Sequence, residues 1–188
     1  MAVYYRVFPF LASSAASEPG GELCTSPLRA ADVSTTPIYS SQVFYISDAA
    51  AGAVSEAFGR LPEWTEAMLD GSPALPGSVR AIAAYRLPDD IPVCDLDDPM
   101  QLHALQLRPS DAVSRDYFRT RSWARRIFSL GVWSGVRWWS YYDPRWASVG
   151  LWDTRQLTVE DVRVLYPDSP EIVEASRTAV RQIIARSR

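Results

Sequence analysis

Six short runs of β-branched and aromatic residues constrain the fold most, because each has strand length and each is separated from the next by turn-forming or helix-patterned sequence. They are residues 3–8 (VYYRVF), 42–47 (QVFYIS), 79–85 (VRAIAAY), 91–96 (IPVCDL), 136–141 (VRWWSY) and 147–152 (ASVGLW). Residues 13–36 between the first two are rich in Ser, Pro, Gly and Ala with no periodicity, and are expected to form a long loop of the kind that often carries function. No run reaches the roughly 18 consecutive apolar residues of a membrane span. The start, MAVYYRVFPFLASSA, lacks the basic opening of a signal peptide, so a cytoplasmic location is expected.

Helical patterns fall between the strands. Asp48 is the expected N-cap of AAAGAVSEAFGRL, where Ala50, Val54, Ala57, Phe58 and Leu61 recur at helical spacing and should face the core. Residues 63–69 are expected to extend this helical region. A short helix should follow Asp97, its expected N-cap, with Pro99 near the first turn. Residues 114–130 have a cap and a helical pattern stopped by Gly131. An amphipathic helix is expected over 170–187, with Ile172, Val173, Ala179, Val180, Ile183 and Ile184 on one face.

At 188 residues the chain suits a single domain with its own core. All 19 basic residues are Arg, and Lys and Asn are both absent, the signature of GC-rich coding. The net charge of −3 argues against a general nucleic-acid binder, which needs a basic excess to displace counterions. Two cysteines, Cys24 and Cys94, make neither a disulfide framework nor a CxxC metal pair. With His103 as the only histidine, neither a His-based zinc site nor a Ser-His-Asp triad is easily assembled. GxGxxG and GxxxxGK[ST] are missing too, so no Gly-rich phosphate loop is present.

Few residues remain as candidates for chemistry. Glu56 lies near the apolar boundary of its helix, where a carboxylate needs a reason, although it also fits a solvated helix residue. Six of the seven Trp fall between Trp123 and Trp152. That cluster reads as core, or as an aromatic wall that with a carboxylate would suit a cationic planar substrate. Arg6, Arg29 and Arg137 lie near strand ends or in loops, where a guanidinium fork can meet phosphate. Ser140 alone, without a partner His, is a poor nucleophile. The acidic run 95–98 is explained more cheaply by helix capping than by a cation site.

The order YYRVF, then VFYISDAAAGAVSEAFGR, then SGVRWWSYYDPRWASVGLWD resembles the RES domain family, named for an Arg, a Glu and a Ser. The similarity runs from about Val3 to Asp153 and includes VCDLDDP. The resemblance implies an α+β, ADP-ribosyltransferase-like fold with a split mixed β-sheet and flanking helices. It also implies NAD+ as substrate in a cleft, cleavage of the nicotinamide–ribose bond with phosphate or water as acceptor, and no metal or resident cofactor. Several such proteins are toxins, so a helix-turn-helix antitoxin is an expected partner; a homodimer is another expectation, and direct nucleic-acid or membrane binding is not.

Carried over by motif, Arg6 matches the early Arg and would hold a phosphate, and Tyr45 would stack on or hydrogen-bond the nicotinamide side. Glu56 would stabilise the cationic ribose, and Ser140 would bond the ribose or amide. One element departs. The family's second Arg, upstream of the strand Tyr, has no counterpart in residues 32–37 (DVSTTP), and Arg29, sixteen residues before Tyr45, is the nearest substitute. That gap keeps open a catalytically altered protein that binds a nucleotide or a protein partner, or one that cleaves a different nucleotide or nucleoside.

Overall fold

The computed structural model describes residues 1–25, 43–114 and 116–184. It is a single α+β unit built on one eight-stranded sheet. The strands are β1 (Ala2–Phe10), β2 (Phe44–Ser47), β4 (Asp70–Ser72), β5 (Leu75–Leu87), β6 (Val93–Asp95), β7 (Gly135–Trp139), β8 (Ala147–Leu151) and β9 (Thr158–Val164), while β3 (Trp64–Thr65) and β10 (Ile183–Ile184) form a separate pair. The order along the main sheet is β4-β5-β1-β2-β8-β7-β6, with β9 also on β5; only β6 and β7 run parallel there. The helices are α1 (Ala50–Phe58), α2 (Pro99–Ala104), α3 (Pro109–Ala112), α4 (Tyr117–Ser129) and α5 (Pro170–Thr178), with a 3₁₀ turn over Glu66–Leu69.

The sheet is split. β1 pairs with β5 without interruption from Ala2↔Leu87 to Phe10↔Val79, yet meets β2 in the single pair Tyr5↔Ser47. Two half-sheets therefore diverge on either side of that pair, and α1 packs across the junction. Val54 and Phe58 of α1 are buried with Trp64, Ile82, Trp146 and Ile172. On the opposite face Phe8, Phe44, Ile46, Tyr85, Val149 and Leu151 form a second core. A third joins Cys94, Leu96 and Val136 to Trp123 and Ile127 of α4, with Trp133, Trp138, Trp139 and Trp152 packed against it. Trp123 and Trp146 of the tryptophan cluster are thus core, the other four are half-buried against it, and His103 is exposed.

Several local expectations are corrected, each by a tertiary partner. Asp48 does not cap α1; Ala49 holds the N-cap position without a side-chain bond. The Asp48 carboxylate instead accepts from Ala147 N at 2.7 Å, and Ala147 O accepts from Asp48 N at 3.0 Å, so a strand-to-strand latch takes the capping group. Asp98, not Asp97, caps α2, accepting from Met100 N at 2.8 Å, because Asp97 is drawn to Arg137. α1 stops at Phe58, leaving Leu61 and Ala57 outside the core, and residues 63–69 form β3 and the 3₁₀ turn.

The helix expected over 170–187 ends at Thr178, and residues 185–187 lie outside the described part. Val180 takes a left-handed φ of 52°, and Arg181 N closes on Ser176 O at 2.8 Å, a six-to-one helix-ending bond. A β-branched residue is strained there. The register gained offsets the strain: Ile183 and Ile184 pair in parallel with Trp64 and Thr65.

In the described part of the Ser- and Pro-rich loop, Leu11 N donates to Gly20 O at 3.1 Å. Gly20 has φ +98°, and a side chain there would meet Leu11 Cβ at 2.7 Å, so glycine is required. No helix among the described residues is long and apolar enough to cross a membrane.

Candidate functional site

Glu56 and Ser140, 84 residues apart in sequence, meet: Ser140 Oγ donates to Glu56 Oε1 at 2.9 Å. Glu56 sits in the last turns of α1, on the edge facing the sheet half made of β2, β8 and β7. Ser140 follows β7 at the start of a tight turn, where its N–H donates to Trp146 O at 2.7 Å and its hydroxyl accepts from Tyr142 N at 3.2 Å. The serine is 2% exposed, so its hydroxyl is fixed by the protein. The Tyr142 ring packs against Gly59 at the end of α1, where a Cβ would come 2.3 Å from the ring. A side chain at position 59 would have to displace that ring.

A second hydroxyl reaches the same oxygen. Ser148 Oγ, on β8, donates to Glu56 Oε1 at 3.4 Å. Among the described residues Glu56 Oε2 has no hydrogen-bond partner. The carboxylate is therefore divided into one held oxygen and one uncommitted oxygen, on an exposed residue.

The turn carrying Ser140 is set by charge. Asp143, 6% exposed, accepts from Arg145 Nη2 at 2.6 Å and from Arg145 N at 2.9 Å. These bonds favour the ionised form and hold its carboxyl down at about 2. A folded-state value below the unfolded one of about 3.9 contributes stability that is complete above pH 4. That contribution is lost as pH falls from about 4 to about 2. Carbon-13 titration of the side-chain carboxyl should place Asp143 near 2, and in Arg145→Ala it should return toward the ordinary range. An unshifted midpoint in that variant would show that the guanidinium does not set it.

Tyr45 shares this face of the sheet. The registers Tyr45↔Gly150 and Ser47↔Ser148 put directly paired side chains on one side. Tyr45 is 40% exposed and meets Trp138 edge to face at 6.2 Å, and Trp138 is itself paired with Ser148. A half-open aromatic corner thus stands beside the divided carboxylate.

Arg6 is not brought to Glu56. Tyr5 shares the α1 face with Ser47, so alternation turns Arg6 to the other face. There its guanidinium lies 4.3 Å from the Phe44 ring centroid and donates to Glu22 O at 3.3 Å. Glu22 O also accepts from the buried Tyr85 hydroxyl at 2.6 Å, and burial raises that hydroxyl's pKa. Arg29 and residues 32–37 lie outside the described residues.

Arg137, a phosphate candidate on sequence, is taken by carboxylates: Asp95 at 3.0 Å, Asp97, and Asp48 at 3.9 Å. The acidic run is accordingly a salt-bridge partner, and among the described residues no group of His, Cys, Asp and Glu is arranged to hold a metal. Ser148 also belongs to the site. Its one sequence signal is a hydroxyl inside the otherwise apolar run ASVGL, which the structure buries throughout.

No curated protein matches the chain. Among solved structures, a chain of the M. tuberculosis MbcT–MbcA toxin–antitoxin complex is similar in fold, with a TM-score of 0.61 at 17% identity over 95% of this chain and 89% of that one. The family model of the RES domain matches residues 5–173, which carry Tyr45, Glu56 and Ser140 together with the split sheet that joins them; the chain belongs to the RES domain family.

Proposed function

We propose that this protein is an NAD+-consuming enzyme that breaks the bond between nicotinamide and ribose. The bonding pair leaves with nicotinamide, and an oxygen of phosphate or water attacks the ribose carbon, giving ADP-ribose 1-phosphate or ADP-ribose. The observation that carries the reading is the Ser140–Glu56 hydrogen bond at 2.9 Å, which holds one carboxylate oxygen and leaves the other open. Departure of nicotinamide develops positive charge on the ribose, and a fixed anion beside it lowers the barrier. Tyr45, with Trp138, supplies a ring surface for the nicotinamide side. Family membership and the likeness to a toxin–antitoxin chain support a toxin role, with an antitoxin, in this reading a helix-turn-helix protein, as partner.

Incubation of the purified protein with NAD+ is expected to release nicotinamide, and adding phosphate should divert the product from ADP-ribose to its 1-phosphate if phosphate is the acceptor. Absence of nicotinamide under both conditions rejects the proposal. The placement of Arg6 against Glu22, away from Glu56, favours one second reading, a protein of this fold that binds a nucleotide without turnover. Calorimetry with NAD+ and ADP-ribose separates them: tight binding of both without nicotinamide release supports the binder.

A further inference from the structure

We infer that Ser148 is a positioning residue for Glu56, the second of two hydroxyls that together fix Oε1 and so present Oε2 to the substrate; the inference rests on the NAD+-cleaving reading above.

Four serines are buried around α1, and they do different things. Ser47 Oγ donates to Ala147 O at 3.1 Å, a backbone role within the β2–β8 corner. Ser55 Oγ is buried with no partner. Ser140 and Ser148 alone of the four turn to the carboxylate. Ser148 is 4% exposed within a strand whose other members are Ala147, Val149, Gly150 and Leu151. Burying a hydroxyl costs free energy unless it is bonded, and an apolar side chain of the same size would pack there without that cost. Among the described residues its hydroxyl has one partner, Glu56 Oε1. Packing does not account for a serine here; the carboxylate does.

The geometry explains why two holders are needed. Glu56 is on an exposed edge of α1, and a glutamate side chain held by one bond can still pivot about that bond, because its terminal torsion is broad. Ser140 approaches from the turn after β7 and Ser148 from β8, so the same oxygen is bonded from two separate elements. Ser148 is further tied to the α1 entrance, because its neighbour Ala147 carries the reciprocal Asp48 bonds. Hydrogen bonds thus connect the strand, the helix start and the carboxylate.

Three proteins test this: wild type, Ser148→Ala and Ser148→Thr, which keeps the hydroxyl. Nicotinamide release from NAD+ should show kcat lowered by about tenfold or more in Ser148→Ala, the effect of a loosened reacting group. KM should change little and the thermal midpoint should be retained, while Ser148→Thr should recover most of kcat. Crystal structures of wild type and Ser148→Ala give a readout that needs no turnover: Glu56 should occupy one conformation in the first and more than one in the second. Wild-type kcat in Ser148→Ala, or a loss of kcat with Glu56 unmoved, overturns the assignment. If wild type releases no nicotinamide, the enzymatic reading fails by itself, and the Glu56 conformations alone decide the positioning role.

Discussion

Glu56→Gln is expected to lower nicotinamide release by about 10²–10³-fold, the range seen when one group stabilising transition-state charge is removed. Gln is a narrow probe at this position. Its amide oxygen can still accept from Ser140 and Ser148, so the Oε1 contacts at 2.9 and 3.4 Å survive and only the negative charge is lost. Because Glu56 is exposed, the substitution should leave the thermal midpoint within about 2 °C of wild type. A stable Glu56→Gln protein with undiminished release means that the carboxylate does not stabilise the ribose cation. The assay separates charge from fold.

Trp64→Ala should have the largest effect on stability, a loss of about 3–5 kcal/mol, since removing a fully buried Trp deletes its packing and leaves a cavity. Trp64 is 0% exposed, stacks edge to face with Phe58 at 6.4 Å, and donates from its indole N–H to Phe58 O at 3.2 Å. That carbonyl belongs to the last residue of α1 and also accepts from Leu61 N at 2.9 Å, so the indole adds a second, side-chain bond at a helix end. The indole therefore reinforces the helix end two residues beyond Glu56. A chain with a typical stability of 5–15 kcal/mol loses a large share of it in one substitution. Urea unfolding followed by far-UV circular dichroism measures the loss, and Trp64→Phe, which keeps the ring but not the donor, should lose clearly less. A Trp64→Ala protein that melts like wild type would show that the α1 terminus is held by other contacts.

The elements were legible where the signal is local. Spacing alone places Val54 and Phe58 on the buried face of α1, and the β-branched runs locate β1, β2, β5, β6, β7 and β8. The departures have a common cause, a competitor far away in sequence. Asp48 is a good cap by type, but Ala147 offers it two bonds across the sheet. The C-terminal pattern is amphipathic through Ile184, yet parallel pairing with β3 takes the last turn away from the helix.

Within the site, Glu56, Ser140 and Tyr45 were legible through the family resemblance, and the structure brings the first two into contact. Arg6 shows what a motif cannot encode. Which side of the sheet it faces is a question of parity, decided by the one pair Tyr5↔Ser47, and a shift of one residue would reverse the answer. Ser148 was illegible because it acquires its role only when β8 is laid against α1.

The split sheet also governs when the molecule can act. Beyond its single pair with β1, β2 is paired along its length only by residues 148–151, and β1 pairs with β5 and β5 with β9, which ends at Val164. A polypeptide emerging from the ribosome acquires its domains as units, N-terminal portions first. Here no N-terminal portion is sufficient: until most of the chain has been synthesised, Glu56 has no serine to meet, and a nascent chain lacks the constellation proposed to consume NAD+. The topology ties the proposed activity to a chain in which β7, β8 and the turn between them are already in place.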